Sequence, residues 1–221
     1  MIGIDTKIIQ IQKNIFEDND KLALEIRDQL LEKRFSLINI LGTPGCGKTT
    51  FLINVINKLK DKKILVIEGD LESDIDTVEL NKLGIDAFQI NTLGGCHLDA
   101  VMIRKSLEQI IDKEYDIIFV ENVGNLICTN EYDLGERLRV LITTVTEGSD
   151  KPYKYPYIFE RSDAVIINKI DLSPYVQFDE EYYIRGIKLV NKSAPVFKVS
   201  STNNENIDHF VDWMNAVLKI E

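Results

Sequence analysis

Long apolar runs are what this chain of 221 residues most plainly lacks. None approaches the roughly 20 residues that a bilayer-spanning helix requires. The opening MIGIDTKIIQ has no basic stretch leading into an apolar signal core. No membrane partner is expected, and the cytoplasm is the expected location. Positive charge is also short. With 26 Lys and Arg against 36 Asp and Glu, the formal net charge is −10. Such a surface excludes a nonspecific nucleic-acid binder, which needs basic side chains to displace counterions. A small anion can still be held by a local nest of backbone N–H groups. Cysteine is limited to 3 residues, an odd and widely spaced set that excludes a disulfide framework and leaves reduced thiols, free or metal-bound. No Pro/Gly/Ser-rich linker interrupts the sequence and nothing repeats internally, so the chain reads as one domain.

What is there begins with Gly42-Thr43-Pro44-Gly45-Cys46-Gly47-Lys48-Thr49, a complete Walker A loop. The apolar run at 36–41 reads as a buried strand and 50–59 as a helix, the context this motif requires. Glycines let successive N–H groups turn inward toward phosphate oxygens, and the helix N-terminus adds partial positive charge. Residues 42–49 and Thr50 are therefore the expected phosphate cradle, with Lys48 on the outer phosphates and Thr49 on Mg²⁺. The β-rich run 63–68 leads to Asp70, a carboxylate placed where α/β folds bind ligands, and hence a second candidate for Mg²⁺. The acids Glu72, Asp74 and Asp76 read equally well as a solvated loop before a helix at 74–83.

After the strand at 116–120, Glu121-x-x-Gly124 matches the acid-and-glycine loop that senses a γ-phosphate, glycine allowing its N–H close approach. The strand at 164–167 runs into Asn168-Lys169-Ile170-Asp171, the guanine signature. A carboxylate at Asp171 accepts from the ring N1–H and the exocyclic amine of guanine, a donor pair that adenine does not offer. Ser200 and Ser201, after a last strand at 196–200, are placed to back the purine.

Cys96 and His97 lie side by side after a strand at 87–91, ahead of a helix expected to reach about Lys113. With Cys128 they make three soft or borderline donors, suited to Zn²⁺ or Ni²⁺ but one short of a closed tetrahedron. A buried thiol beside a capping histidine accounts for the dipeptide equally well. Residues 146–156, after a strand at 139–145, read as a rigid polar loop stiffened by proline. Residues 4–31 show helical periodicity, with a break expected near Asp18-Asn19-Asp20. The expected fold is α/β: a helical arm (1–35) on a single P-loop NTPase domain (36–221) with a seven-stranded, mainly parallel sheet flanked by helices.

Taken in order, GTPGCGKT, GCHLDA, ENVGNLIC, TEGSDKPYKYP and NKID resemble the HypB family of hydrogenase nickel-incorporation GTPases, a SIMIBI-class group, from Leu37 to the end. In the urease nickel GTPases a Cys-Pro-His motif replaces Cys96-His97. The resemblance implies a GTP-dependent homodimer with Cys96, His97 and Cys128 as an interfacial metal site, so that two copies supply six donors. It implies work with a HypA-like zinc and nickel chaperone on the hydrogenase large subunit, and it brings the 151–154 segment, Lys154 included, to the nucleotide across the dimer. The N-terminus lacks the Cys-x-x-Cys-Gly-Cys or histidine-rich tract of some members, so nickel storage is not expected. Cys46 stands where many members carry serine. The alternatives are a urease-type nickel GTPase, a regulatory guanine-nucleotide switch without metal transfer, and a small-molecule kinase. The kinase lacks the arginine-rich lid it would need.

Overall fold

The computed structural model describes the backbone of residues 3–70, 75–92, 94–110 and 113–219, with side chains from residue 15 onward except those at 70, 75 and 76. A long helix α1 (Gly3–Glu32) precedes β1 (Ser36–Gly42), α2 (Lys48–Lys58), β2 (Ile64–Asp70), α3 (Ile75–Lys82) and β3 (Asp86–Asn91). Next come α4 (Ala100–Glu108), β4 (Ile117–Glu121), α5 (Cys128–Glu131) and β5 (Leu138–Thr144). The chain closes with α6 (Lys151–Lys154), α7 (Pro156–Glu160), β6 (Ala164–Asn168), α8 (Glu180–Val190), β7 (Val196–Lys198) and α9 (Ile207–Leu218).

The seven strands form one sheet in the order β3-β2-β4-β1-β5-β6-β7. Every pairing is parallel, so the expectation of a mainly parallel sheet tightens to a wholly parallel one. Strands β1, β4, β5 and β6 are buried along their full length, because helices cover both faces. On one face, α2 and α9 bring Phe51, Leu52, Phe210 and Met214 onto Ile38 and Ile40. On the other, α1 and α4 bring Ala23, Ile26, Leu30, Ile103 and Leu107 onto Leu37, Leu65 and Ile118. Each fully buried aliphatic side chain in these layers contributes roughly 1.5–3 kcal/mol. Successive strands leave β1 toward β4 on one side and β5 on the other, which opens a crevice at the strand C-termini where such folds bind ligands.

Three local expectations are corrected. Helix α1 runs unbroken through Asp18-Asn19-Asp20, because Asn19 faces inward. Its amide donates to the Asp133 carbonyl at 2.9 Å, and its Oδ1 accepts from the Ala100 N–H at 2.9 Å. Helix α4 stops at Glu108 rather than near Lys113. The polar loop expected at 146–156 contains helical turns instead, since Pro152 and Pro156 preset the backbone of a first turn and the Asp150 carbonyl accepts from the N–H groups of Tyr153 and Lys154, both at 3.0 Å. Among the described residues no helix is long and apolar enough to cross a membrane.

Helix α1 is pressed onto Gly135, which has φ +81° and whose added Cβ would lie 2.7 Å from Ile26 Cγ2 and 2.8 Å from the Ala23 carbonyl oxygen. Gly135→Ala should therefore cost roughly 1–3 kcal/mol through overpacking and a disfavoured backbone. Urea unfolding followed by circular dichroism measures it, and an unchanged midpoint would show that the arm does not depend on this approach.

Candidate functional site

The Walker A loop is shaped by three close approaches. A Cβ on Gly42 would stand 2.6 Å from both Cys46 Sγ and the Ile142 carbonyl oxygen, so the loop curls directly over β5. Gly47 has φ +94°, and a Cβ there would meet Asn168 Nδ2 at 2.6 Å. Gly124 would put a Cβ 2.8 Å from Pro44 N, which lets the 121–124 loop lie against the Walker A backbone. Helix α2 opens at Lys48, so its unpaired N–H groups are at the loop.

Lys48 is buried, with Nζ 3.4 Å from the Thr43 carbonyl oxygen and 3.9 Å from Glu121 Oε1. Thr49 Oγ1 donates to the same Glu121 oxygen at 3.1 Å. Lysine, hydroxyl and carboxylate therefore meet at one point, in a cleft of about 540 Å³ also lined by Glu68, Gly124 and Lys169. A larger hollow of about 620 Å³, lined by Lys60, Lys63 and Tyr115 at the N-terminal ends of β2, β3 and β4, includes none of these groups. The chemistry lies at the smaller cleft.

Asn168, at the end of β6, organises the neighbouring segments. Its Nδ2 donates to the Cys46 carbonyl at 2.9 Å, and its Oδ1 accepts from Ser201 N at 3.0 Å and Ser201 Oγ at 2.9 Å. Lys169, at φ +61°, reaches back to the Gly45 carbonyl at 2.6 Å. Asp171 accepts from Ser200 Oγ at 2.5 Å. The sequence-predicted residues Gly42, Thr43, Pro44, Gly45, Cys46, Gly47, Lys48, Thr49, Glu121, Gly124, Asn168, Lys169, Asp171, Ser200 and Ser201 thus form one connected set of contacts. Thr50 lines the same cleft. The side chain of Asp70, together with Glu72, Asp74 and Asp76, lies outside the described residues. Lys154 pairs with Asp150 at 2.5 Å and is not part of its own chain's cleft.

Sequence reasoning missed three residues. Glu68 is buried on the cleft wall, and a carboxylate inside the apolar run of β2 is the signal for it. Glu147 accepts from Thr43 Oγ1 and stands 3.6 Å from Lys151 Nζ, bracing the Walker A loop from the β5 side. Asn122 is buried behind Glu121, and no spacing rule points to it.

The second group of candidate residues follows the 121–124 loop in the chain, Cys128 coming four residues after Gly124. Cys128 does not sit on an extended loop but opens α5, because Asn125 Oδ1 accepts from the N–H groups of Ile127 at 2.8 Å and Cys128 at 3.0 Å. A hydrogen bond with Cys96 raises the Cys128 thiol above its ordinary value, with burial acting the same way, so the two thiols are neighbours within one chain. Cys96 Sγ is 3.6 Å from His97 Nδ1, while the His97 ring stacks on Tyr132 at 3.9 Å between centroids. Burial lowers the His97 pKa against the pull of Asp99, which favours the neutral ring that a metal needs. Among the described residues, no three His, Cys, Asp or Glu side chains close on one point. The donors are adjacent without forming a finished cage.

A parallel doubly wound sheet with a Walker A loop at its switch point and a lysine-threonine-glutamate cluster beneath it defines a P-loop nucleotide-binding protein. Residues 36–198 match the family CobW/HypB/UreG, nucleotide-binding domain. The hydrogenase maturation factor HypB of Azotobacter chroococcum is 39% identical over 210 residues, spanning 95% of this chain and 69% of that protein. The crystal structure of HypB from Helicobacter pylori in complex with nickel superposes with a TM-score of 0.87 at 34% identity, over 91% of this chain and 95% of that one. HypB from Archaeoglobus fulgidus gives 0.85 at 35% identity, over 91% and 99%. The chain belongs to this family, in its HypB branch.

Thiol reactivity separates the three cysteines. Cys46 is buried under the Walker A loop, and burial pushes its thiol up to about 11 despite Lys48 nearby. Iodoacetamide at pH 8 should therefore label Cys96 and Cys128 in the folded, chelator-treated protein and leave Cys46 untouched until denaturant is added. Peptide mass spectrometry reads the result. Early labelling of Cys46 would mean that the loop opens far more readily than its packing implies.

Proposed function

We propose that this protein is a GTP-hydrolysing metallochaperone that acts as a GTP-dependent dimer to help insert nickel into a [NiFe]-hydrogenase. One observation carries the reading: a single short segment, 121–128, meets the Walker A lysine and threonine at its first residue, Glu121, and ends in Cys128, which lies beside Cys96 and so beside the thiol-and-imidazole donor set. In this reading Lys48 stabilises charge on the outer phosphate oxygens, and the Gly124 N–H meets the γ-phosphate. Asp171, held by Ser200, accepts from the guanine edge, while Asn168, Lys169 and Ser201 hold the base segment against the Walker A loop. Thr49 and Glu121, with Asp70 at the end of β2, offer the hard oxygen donors that suit Mg²⁺. Mg²⁺ held by these oxygens would neutralise charge on the phosphate oxygens.

Cys96, His97 and Cys128 are the proposed hold for the metal, and thiols with an imidazole suit Zn²⁺ or Ni²⁺. An unfinished donor set in one chain supports an arrangement that two copies complete. Apolar side chains beside it support burial of that face: Ile127, next to Cys128, is 62% exposed, and Val101, near the start of α4, is 48% exposed. The H. pylori relative, described as in complex with nickel, supports nickel as cargo. Lys154 is proposed to approach the partner's nucleotide. A HypA-like zinc and nickel chaperone and the hydrogenase large subunit are the proposed partners, in the cytoplasm. A purely regulatory switch is the second reading, favoured by the lack of a closed cage among the described residues.

Metal content and mass of the purified protein, with GDP and with a nonhydrolysable GTP analogue, separate the two. The chaperone reading expects a metal-bearing dimer with the analogue, and a metal-free monomer in both states contradicts it. Lys48→Ala should abolish measurable GTP hydrolysis while the circular dichroism spectrum is retained. Asp171→Asn should weaken GTP by about 1–3 kcal/mol and favour xanthosine triphosphate, since it swaps an acceptor for a donor. An unchanged preference between the two nucleotides would remove Asp171 from the base site.

A further inference from the structure

A connected set of buried polar side chains runs through the centre of the sheet, two of them on strands and two on the segments that follow β4 and precede β5. Asn39 (0% exposed) stands in the middle of β1, in register with Arg139 (6%) of β5, and they are joined by Asn122 (1%) and Glu136 (8%). Asn122 Nδ2 donates to Asn39 Oδ1 at 3.2 Å, and Asn39 Nδ2 donates to Glu136 Oε1 at 3.2 Å. Glu136 Oε1 also accepts from Arg139 Nε at 2.8 Å, and its Oε2 accepts from the Leu134 N–H at 2.7 Å. Buried groups of this kind are costly unless satisfied, and a satisfied network moves as a unit because no member can shift without stranding its neighbour.

The two ends of the network touch both halves of the donor set. Asn122 follows Glu121, which holds Thr49, and its Oδ1 accepts from the N–H of Leu98, the residue after His97, at 3.4 Å. Arg139 donates to the carbonyls of Asn130 at 3.4 Å and Tyr132 at 3.2 Å, which terminate the helix begun by Cys128. Tyr132 in turn stacks on His97. The hydrogen bonds and the stacked rings therefore close a loop from the switch segment, through the core, to both metal-donor segments.

We infer that Asn39 is the positioning residue that, through Glu136 and Arg139, converts movement of the 121–124 loop into a joint movement of the Cys96-His97 and Cys128 segments. It touches neither nucleotide cleft nor thiols, so its role is to keep the two sites in register. A nucleotide state that draws Gly124 forward pulls Asn122, and the pull reaches Leu98 directly and α5 by way of the Asn39-Glu136-Arg139 chain. Any difference in metal affinity between nucleotide states is reciprocal, and such couplings span about 5–150-fold. The inference rests on the proposed nucleotide and metal sites, and the test distinguishes its failure from theirs.

Zn²⁺ and Ni²⁺ are titrated into the GDP and GTP-analogue forms of the wild type and of Asn39→Leu, with nucleotide affinity measured separately. The wild type should show at least a fivefold difference in metal affinity between the two forms. Asn39→Leu should reduce it below about twofold while nucleotide affinity stays within about threefold of wild type. A variant that keeps the wild-type ratio overturns the relay and leaves the two sites standing. A wild type that binds both ligands with equal metal affinity in the two forms also overturns it. Failure to bind nucleotide or metal at all overturns the functional reading instead. Should Asn39→Leu not fold, hydrogen exchange on the wild type decides. The Leu98 and Leu134 amides, which donate to Asn122 and Glu136, should change protection together when GDP is replaced by the analogue. Unchanged protection at both overturns the inference.

Discussion

The site depends on the close approach of three stretches of backbone at the C-terminal end of the sheet. Gly42 lies on Ile142 of β5, Gly47 lies on Asn168 of β6, and Gly124 lies on Pro44. None of these places has room for a Cβ, so the Walker A loop is held by contacts from β5, from β6 and from the segment after β4. Asn168 then fastens the loop and the base segment to each other with both ends of its amide. Nucleotide geometry is thus built into the order of the strands, since only a sheet that places β4 and β5 on either side of β1 brings these loops together.

The same packing lets the loop after β4 touch both the Walker A residues and the segment that carries Cys128. Glu121 at its start shares one carboxylate oxygen between Lys48 and Thr49, and Asn125 further along starts the helix that carries Cys128. In the proposed mechanism, events at the phosphates are felt along this loop. A polar network inside the sheet is an expensive way to support such a loop, because apolar residues of similar volume generally stabilise a core at least as well. Its presence in β1 and β5 is what sets this core apart from a merely well-packed one.

Much of this was legible in the residues. The Walker A spacing, the Asn-Lys-x-Asp signature and the Glu-x-x-Gly loop each fall at the end of an apolar run, and a doubly wound, mainly parallel sheet follows once those runs alternate with amphipathic helices. What sequence could not supply were contacts between distant segments. Asn19 reads as a helix breaker by local propensity, yet it bonds to Asp133 and Ala100 and the helix continues. Residues 151–154 read as a loop because proline is a loop former, although proline also suits a first helical turn. Cys96 and Cys128 were legible as donors but not as neighbours in one chain, and Asn39, Asn122 and Glu136 carried no motif at all. Their meaning exists only in the folded register.

In the proposed function, Cys96, His97 and Cys128 hold a metal together while nucleotide occupies the loop beside them. X-ray absorption at the zinc edge of the Zn²⁺-loaded protein with GTP analogue tests this most directly. Sulfur scatterers at about 2.3 Å, lost when Cys96 and Cys128 are both replaced by serine, are the predicted result. A first shell of oxygen and nitrogen alone would remove the two thiols from the metal site.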